Sequence, residues 1–222
     1  MPNPAIREIA APAGLRVWCF SLAEAPSADD WSLLDRTESA RAWRFAFDRD
    51  RHRYVHAHAA TRRLLGAALG LKPESLVFTA DALGKPALAG SASNLHFNLS
   101  HGGEFGALVV SANRPVGIDI EPWRAMTDTM AVGANVYTAR EMQGWAHAPV
   151  AEVDARFLRL WTRKEALLKA IGLGLSVDPK SLEVGLMPPQ CVVEVRANER
   201  RWAVSVASLE QYTDAALAVA WL

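Results

Sequence analysis

The stretch Val116-Gly117-Ile118-Asp119-Ile120-Glu121 decides how the chain is read. Apolar residues alternate along it with glycine and two acids. On a strand, residues two apart point to the same face. Ile118 and Ile120 are therefore predicted to face the core, with Asp119 and Glu121 together on the other side. Two carboxylates held so close repel unless a positive charge lies between them. A divalent cation is the simplest such charge, and hard oxygen ligands favour Mg²⁺ or Mn²⁺. The plainer reading is an exposed strand with two solvated acids, since alternating strands commonly present a wet face.

Outward from this stretch, Gly106 to Ser111 reads as a buried strand, and Asn113-Arg114-Pro115 turns the chain back. A hairpin of these two strands is expected. Before them, Leu95, Phe97 and Leu99 alternate into Asn98-Leu99-Ser100-His101-Gly102-Gly103. Ser100 and His101 are neighbours on a strand and point to opposite faces, so direct proton transfer between them is poorly arranged. No nucleophile elbow is present. A close-approach loop that binds an anion is the better reading. Lys85 follows Gly84 in the turn Asp81–Pro86 and offers another cation, without the spacing of a P-loop. The remaining histidines form no H-E-x-x-H pattern.

After the opening stretch, Asp154 to Ile171 is a strong helix closed by Gly172 and Gly174. It carries Trp161-Thr162-Arg163-Lys164-Glu165-Ala166-Leu167-Leu168-Lys169. Glu165 and Lys169 are neighbours on one helix face. The ordinary meaning of such a pair is an exposed ion pair worth about 0.2–0.5 kcal/mol. Trp161, one turn earlier on that face, points to a partly buried stripe, where Glu165 needs a metal or Lys169 as partner.

The rest is read as follows. Leu15–Phe20 is a strand, Pro26–Asp30 a loop, and Trp31–Leu34 the start of a short helix. Asp35 or Thr37 caps Glu38–Phe47, and Asp48 caps a long helix through Leu69, ended by Gly70 and Lys72-Pro73. Leu76–Phe78 is a short strand. Pro122–Asn135 stays unassigned. Thr138 and Glu141 form a capping box. Ser181–Leu186, Cys191–Arg196, Trp202–Ser208 and Ala215–Leu222 are strands. Thr37 and Trp43 open a short helix before a long one, as do Thr138 and Trp145, a weak internal echo of a duplicated α+β unit.

Composition narrows the class. Of 222 residues, 50% are apolar and 22% charged, as in soluble globular proteins. No run approaches the roughly 18 apolar residues of a membrane span. The N-terminus lacks a signal-peptide pattern. Cys19 and Cys191 are the only cysteines, so no disulfide framework is expected, and a reducing cytoplasm fits. A formal net charge of zero argues against a nucleic-acid partner. Eight arginines lie between Arg36 and Arg63, against Glu38, Asp48 and Asp50. They form either an ordinary solvated helix face or a site for phosphates or an acidic partner protein. Three acids, Asp119, Glu121 and Glu165, with cations at Lys85, His101, Lys169 and the early arginines, are the equipment of phosphoryl transfer.

Four segments in order resemble the motifs of 4′-phosphopantetheinyl transferases. They are Gly84-Lys85-Pro86, Phe97-Asn98-Leu99-Ser100-His101, Val116–Glu121, and Phe157-x-x-x-Trp161-x-x-Lys164-Glu165-Ala166-x-x-Lys169. Arg41-x-x-x-Phe45 extends the match upstream. The length resembles the monomeric two-repeat branch, the surfactin-synthetase-activator type. The resemblance implies a pseudo-twofold α+β fold, with halves 1–112 and 113–222, each a small mostly antiparallel sheet packed by a long helix. It implies that Asp119, Glu121 and Glu165 hold Mg²⁺, that Glu165 or a water it orients is the base, and that Lys169 neutralises a pyrophosphate. It implies coenzyme A contacts at Lys85, Ser100 and His101, and basic positions near the 3′-phosphate at Arg41 and Arg49. Glu38 stands where some members carry lysine. The implied partners are coenzyme A and an apo acyl or peptidyl carrier protein. Two other classes stay open on the residues alone: a metal-dependent nuclease or phosphohydrolase, and a non-catalytic carrier-protein or coenzyme A binding module.

Overall fold

A computed structural model describes residues 6–222 apart from 82 and 91–93. The chain runs β1 (Arg7–Ile9), β2 (Arg16–Ser21), α1 (Ala28–Leu33), α2 (Arg36–Ala42), α3 (Asp48–Leu69), β3 (Phe78–Ala80), β4 (Pro86–Leu88), β5 (His96–Gly102), β6 (Phe105–Ser111) and β7 (Val116–Pro122). It continues through α4 (Thr129–Val136), α5 (Ala139–Ala146), α6 (Val153–Ile171), β8 (Gln190–Ala197), β9 (Arg200–Ser208) and β10 (Ala215–Trp221). Two antiparallel sheets, ordered β1-β2-β6-β5 and β7-β10-β9-β8, carry the fold, with a β3-β4 ribbon beside them.

The fold is α+β and duplicated. Each half has a first strand (β2 or β7), two short helices, one long helix, then a hairpin (β5-β6 or β9-β10). In each sheet the last strand lies between the first strand and its hairpin partner. Local chemistry repeats as well. Asp35 and Glu38 form the capping box of α2, and Thr138 and Glu141 that of α5. The long helices end on left-handed glycines, Gly70 at φ 66° and Gly172 at φ 71°.

The capping glutamates have a second task. Arg62 of α3 is fully buried, and its Nε donates to Glu38 at 2.8 Å while Nη1 donates to the carbonyls of Pro73 and Leu76. Lys164 of α6 is also fully buried. Its Nζ meets Glu141 at 2.7 Å and donates to the carbonyls of Pro179 and Leu182. Each half thus pins its long helix to a short helix and to the 3-10 turn that follows, through one buried cation.

The cores follow the layers. Val17, Cys19, Val109, Ile118, Ile120, Leu217 and Val219 pack between the sheets, so Ile118 and Ile120 face the core as read from the alternation. Trp18, Phe20, Ala57, Leu65 and Leu108 lie under α3, and Phe157, Leu167, Leu168, Val204 and Ala218 under α6. No helix among the described residues is long and apolar enough to cross a membrane.

Several local expectations change. β6 and β7 do not form a hairpin: β6 pairs with β2 and β5, and β7 with β10, where Ala218 faces Asp119. Asn113-Arg114-Pro115 instead carries the chain from one sheet to the other. Ser181–Leu186 is not a strand, because Pro179–Ser181 is a 3-10 turn with Asp178 bonded to the Lys180 N–H. α1 begins at Ala28, capped by Ser27 inside the expected loop. α2 begins at Arg36 and ends at Ala42, short of Phe47. Asp48 is the first residue of α3 rather than its cap. β3 lies two residues beyond the expected start, and 129–136, left unassigned, is α4.

Candidate active site

The site begins with a missing side chain. A Cβ on Gly117 would sit 2.1 Å from the Ala166 carbonyl oxygen and 2.4 Å from the Ala170 nitrogen. Glycine alone lets α6 lie directly on β7. Gly117→Ala is expected to push the helix off the strand and cost at least about 3 kcal/mol. Urea unfolding checks this, and an unchanged midpoint would contradict it.

Two residues along the same face, Asp119 is 5% exposed. Its Oδ1 accepts from Lys169 Nζ at 2.6 Å and from the Ser100 hydroxyl at 2.8 Å, while Lys169 Nζ also lies 3.1 Å from Ser100 Oγ. Its Oδ2 is buried and has no hydrogen-bond partner. The expected Glu165–Lys169 pair is replaced by this one, since the ammonium goes to Asp119 across the strand. Ser100 reaches Asp119 because β5 and β7 are the facing edges of the two sheets. Asn98 Oδ1 accepts the Ile118 N–H at 2.9 Å, and a Cβ on Gly102 would sit 2.6 Å from the Ile120 carbonyl oxygen.

Glu121 follows on that face and is held by Arg124 at 2.6 Å. Glu165 is half-buried on α6. Burial pushes its carboxyl up, Lys169 pulls it down, and the charges of Asp119 and Glu121 raise it further. Glu165 therefore feels the charge of both other acids. The three-acid cage expected for a metal is nonetheless not assembled: among the described residues no group of three His, Cys, Asp or Glu is placed to hold an ion. Glu121 is turned to Arg124 instead. The donor chemistry still fits a hard divalent cation, because Asp119 Oδ2 is an unpartnered buried oxygen beside a carboxyl raised by its acidic neighbours.

Glu165 also sets a pH dependence. A carboxyl raised in the fold keeps its proton where the unfolded chain has lost it, so its stabilising share is full below the ordinary carboxylate range and is lost as pH rises through the folded value. Glu165→Gln is expected to raise the melting temperature of the metal-free protein at pH 7, with the gain vanishing near pH 4. A lower melting temperature at pH 7 would contradict this.

The first half contributes the opposite wall. His101 is the last residue but one of β5, and the protein packed around it pushes its imidazole below 6.5, with His58, Lys169, Arg53 and Arg41 adding to the effect. Those four basic side chains therefore lie around His101. Tyr54 and His58, one turn apart on α3, stack at 4.0 Å, and Arg41 lies over Tyr54 at 5.7 Å. His58 Nδ1 is 2.8 Å from Glu38, so the acid that departs from the lysine pattern orients a histidine and caps α2. Arg49 lies apart, exposed and paired with Asp50. Lys85 Nζ donates to the carbonyls of Val116, Lys169 and Ala170 at 3.0, 2.6 and 3.4 Å, closing the end of α6, and burial lowers its ammonium to about 8. Lys85 also lines a cavity of about 450 Å³ with Asn98, Lys169 and Gly172.

A family model described as 4′-phosphopantetheinyl transferase superfamily matches residues 115–220. One described as 4′-phosphopantetheinyl transferase, N-terminal, matches residues 24–113. The chain is 34% identical over 161 residues to the 4′-phosphopantetheinyl transferase HetI of Nostoc sp., covering 72% of this chain and 68% of that one. The chain belongs to the 4′-phosphopantetheinyl transferase superfamily. It is 33% identical over 149 residues to the 4′-phosphopantetheinyl transferase psf-1 of Bacillus pumilus, covering 66% of this chain and 61% of that protein's length. It is 28% identical over 252 residues to the human L-aminoadipate-semialdehyde dehydrogenase-phosphopantetheinyl transferase, covering 99% of this chain and 79% of that one.

Residues given no site role by the sequence also lie at this site. Gly117 had a signal, since a glycine inside an alternating strand marks a close approach. Tyr54 and His58 are spaced one helical turn apart among arginines, which is a face. Asn98 stood inside a quoted motif but its bond to β7 was not legible, and Arg53 had no signal, because both placements depend on the tertiary fold.

Proposed function

We propose that this transferase moves the phosphopantetheine arm of coenzyme A to a serine of an apo acyl or peptidyl carrier protein, with Mg²⁺, releasing 3′,5′-ADP. The observation that carries this is the convergence of Asp119, Lys169, Ser100 and Glu165 where the two halves meet. Asp119, Glu121 and Glu165 are the residues that would hold Mg²⁺, once Glu121 exchanges Arg124 for the ion. Mg²⁺, when bound, offsets the charge of the pyrophosphate.

The chain's own groups do the rest. Lys169, fixed by Asp119 and Ser100, presents an ammonium to the pyrophosphate oxygens. Glu165, its carboxyl raised by burial and by its acidic neighbours, takes the proton of the serine hydroxyl, directly or through a water. The serine oxygen–phosphorus bond forms as the bond from phosphorus to the nucleotide oxygen breaks. Ser100, His101 and Arg41 are assigned to coenzyme A on the basic wall, with Arg49 at its periphery. Lys85 is assigned to coenzyme A through the cavity it lines. Carrier choice is assigned to 122–135, where Trp123, Met130 and Val132 are exposed. The protein is proposed to act as a cytoplasmic monomer.

The test is intact-mass measurement of apo carrier proteins incubated with the protein, coenzyme A and Mg²⁺. A gain of one phosphopantetheine arm is expected. No gain across a panel of acyl and peptidyl carriers would overturn the proposal.

A further inference from the structure

The proposed reaction gives no task to His58, although this histidine stands on the basic wall. Its Nδ1 lies 2.8 Å from Glu38 Oε1. Its Nε2 has no hydrogen bond among the described residues, and unlike the two ring nitrogens of His56 it is not sealed from water. The other Glu38 oxygen accepts from Arg62 Nε at 2.8 Å and from the Asp35 N–H at 3.0 Å. Burial raises the Glu38 carboxyl, but the bonds from His58, Arg62 and the Asp35 N–H outweigh it and hold the group below its ordinary value. Glu38 is therefore an anion at neutral pH and accepts the Nδ1 proton. A carboxylate on Nδ1 keeps a proton there, so Nε2 is the atom that gains or loses the second one.

Without that second proton, Nε2 turns a lone pair toward the wall, which the oxygens of an anion avoid. With it, Nε2 offers a charge-assisted donor that they accept. The groups around it come from four elements. Tyr54 of α3 stacks on the ring at 4.0 Å, and Arg41 of α2 lies 5.7 Å over Tyr54. Arg53 of α3, His101 of β5 and Lys169 of α6 share the wall. The nearby acids are Glu38 and Asp35, and both also pair with the buried Arg62. Burial lowers the His101 imidazole, and His58 is the largest of the four charges that lower it further. Two imidazolium ions so placed repel, and a nearby dianion removes the repulsion. Burial also pushes the Tyr54 phenol up to about 12, so it stays a neutral donor beside them.

Resting on the coenzyme A assignment above, we infer that His58 is a further ligand of that molecule's ribose phosphate monoester, which binds with uptake of a proton at Nε2. Lys169, fixed on Asp119, is already given to the pyrophosphate. The monoester is the remaining phosphate of coenzyme A, and it carries about −1.5 to −2 charges at pH 7. Glu38 acts as a positioning residue: it orients the ring and holds the first proton on Nδ1.

The test is calorimetric titration of the full chain with coenzyme A and with dephospho-coenzyme A, which lacks the monoester, at pH 6 and pH 8. His58→Gln should weaken coenzyme A about tenfold at pH 6 and by about twofold or less at pH 8. Dephospho-coenzyme A should respond by about twofold or less at both. His58→Arg, charged throughout, should keep coenzyme A tight at pH 8, and it decides the matter if His58→Gln does not fold. A chain that binds coenzyme A with the same pH profile in all three forms would overturn this inference alone. So would an effect of His58→Gln on dephospho-coenzyme A as large as on coenzyme A. An unsubstituted chain that binds no coenzyme A would overturn the transferase reading itself.

Discussion

Asp119→Ala is expected to lower transfer to an apo carrier protein by about a thousandfold, which is about 4 kcal/mol of barrier. The substitution removes the carboxylate that fixes Lys169 at 2.6 Å and receives the Ser100 hydroxyl at 2.8 Å. It also removes the buried unpartnered oxygen best suited to a cation. The fold should survive. About 1 kcal/mol is lost with the hydrogen bonds, and the relief of repulsion on Glu165 partly offsets it. The turnover rate and a melting curve check the two halves of the statement. Full activity would remove Asp119 from the site, and a collapsed melting curve would make it part of the scaffold.

Glu141→Gln is expected to cost about 3–5 kcal/mol, although the residue is absent from the proposed chemistry. Its carboxylate receives the N–H groups of Thr138, Val184 and Gly185 and neutralises Lys164 at 2.7 Å. Both side chains are almost fully withdrawn from water, at 1% and 0% exposure. A neutral amide leaves the Lys164 ammonium buried without its counter-charge. Adding Lys164→Met to Glu141→Gln should return much of the loss, since a buried pair replaced by apolar groups is often close to neutral. Urea midpoints of the single and double variants check this. Equal midpoints for Glu141→Gln and the unsubstituted chain would refute the pinning role.

These two residues also mark how far the sequence can be read. The alternation of 116–121 placed Ile118 and Ile120 in the core and the acids opposite, because that periodicity is local. The Thr138–Glu141 capping box was legible for the same reason. What else Glu141 binds was not, since Lys164 reaches the capping oxygen, and the Val184 and Gly185 N–H groups its other oxygen, only when α6 packs. A lysine beside a glutamate on a helix reads as surface, yet Lys164 is fully buried, while the half-buried Glu165 matches the partly buried stripe expected beside Trp161. The partner of β7 was misread for a related reason. A short turn favours a hairpin locally, but the two-sheet topology reserves β7 for β10, almost a hundred residues on. The helical spacing offered Lys169 as a partner for Glu165, whereas its ammonium bonds Asp119 on β7, a contact made only across the fold. The basic wall was visible as a charge run, while its convergence on His101 depends on how α3 crosses the end of β5.

The central claim is transfer to a carrier rather than hydrolysis, and nucleotide release decides it. Coenzyme A and Mg²⁺ are incubated with the protein, with and without an apo carrier, and 3′,5′-ADP is quantified beside the carrier's mass gain. The expected result is no nucleotide without carrier and one nucleotide per phosphopantetheine arm with it. Nucleotide release that is independent of the carrier would contradict the account and make the site a hydrolase.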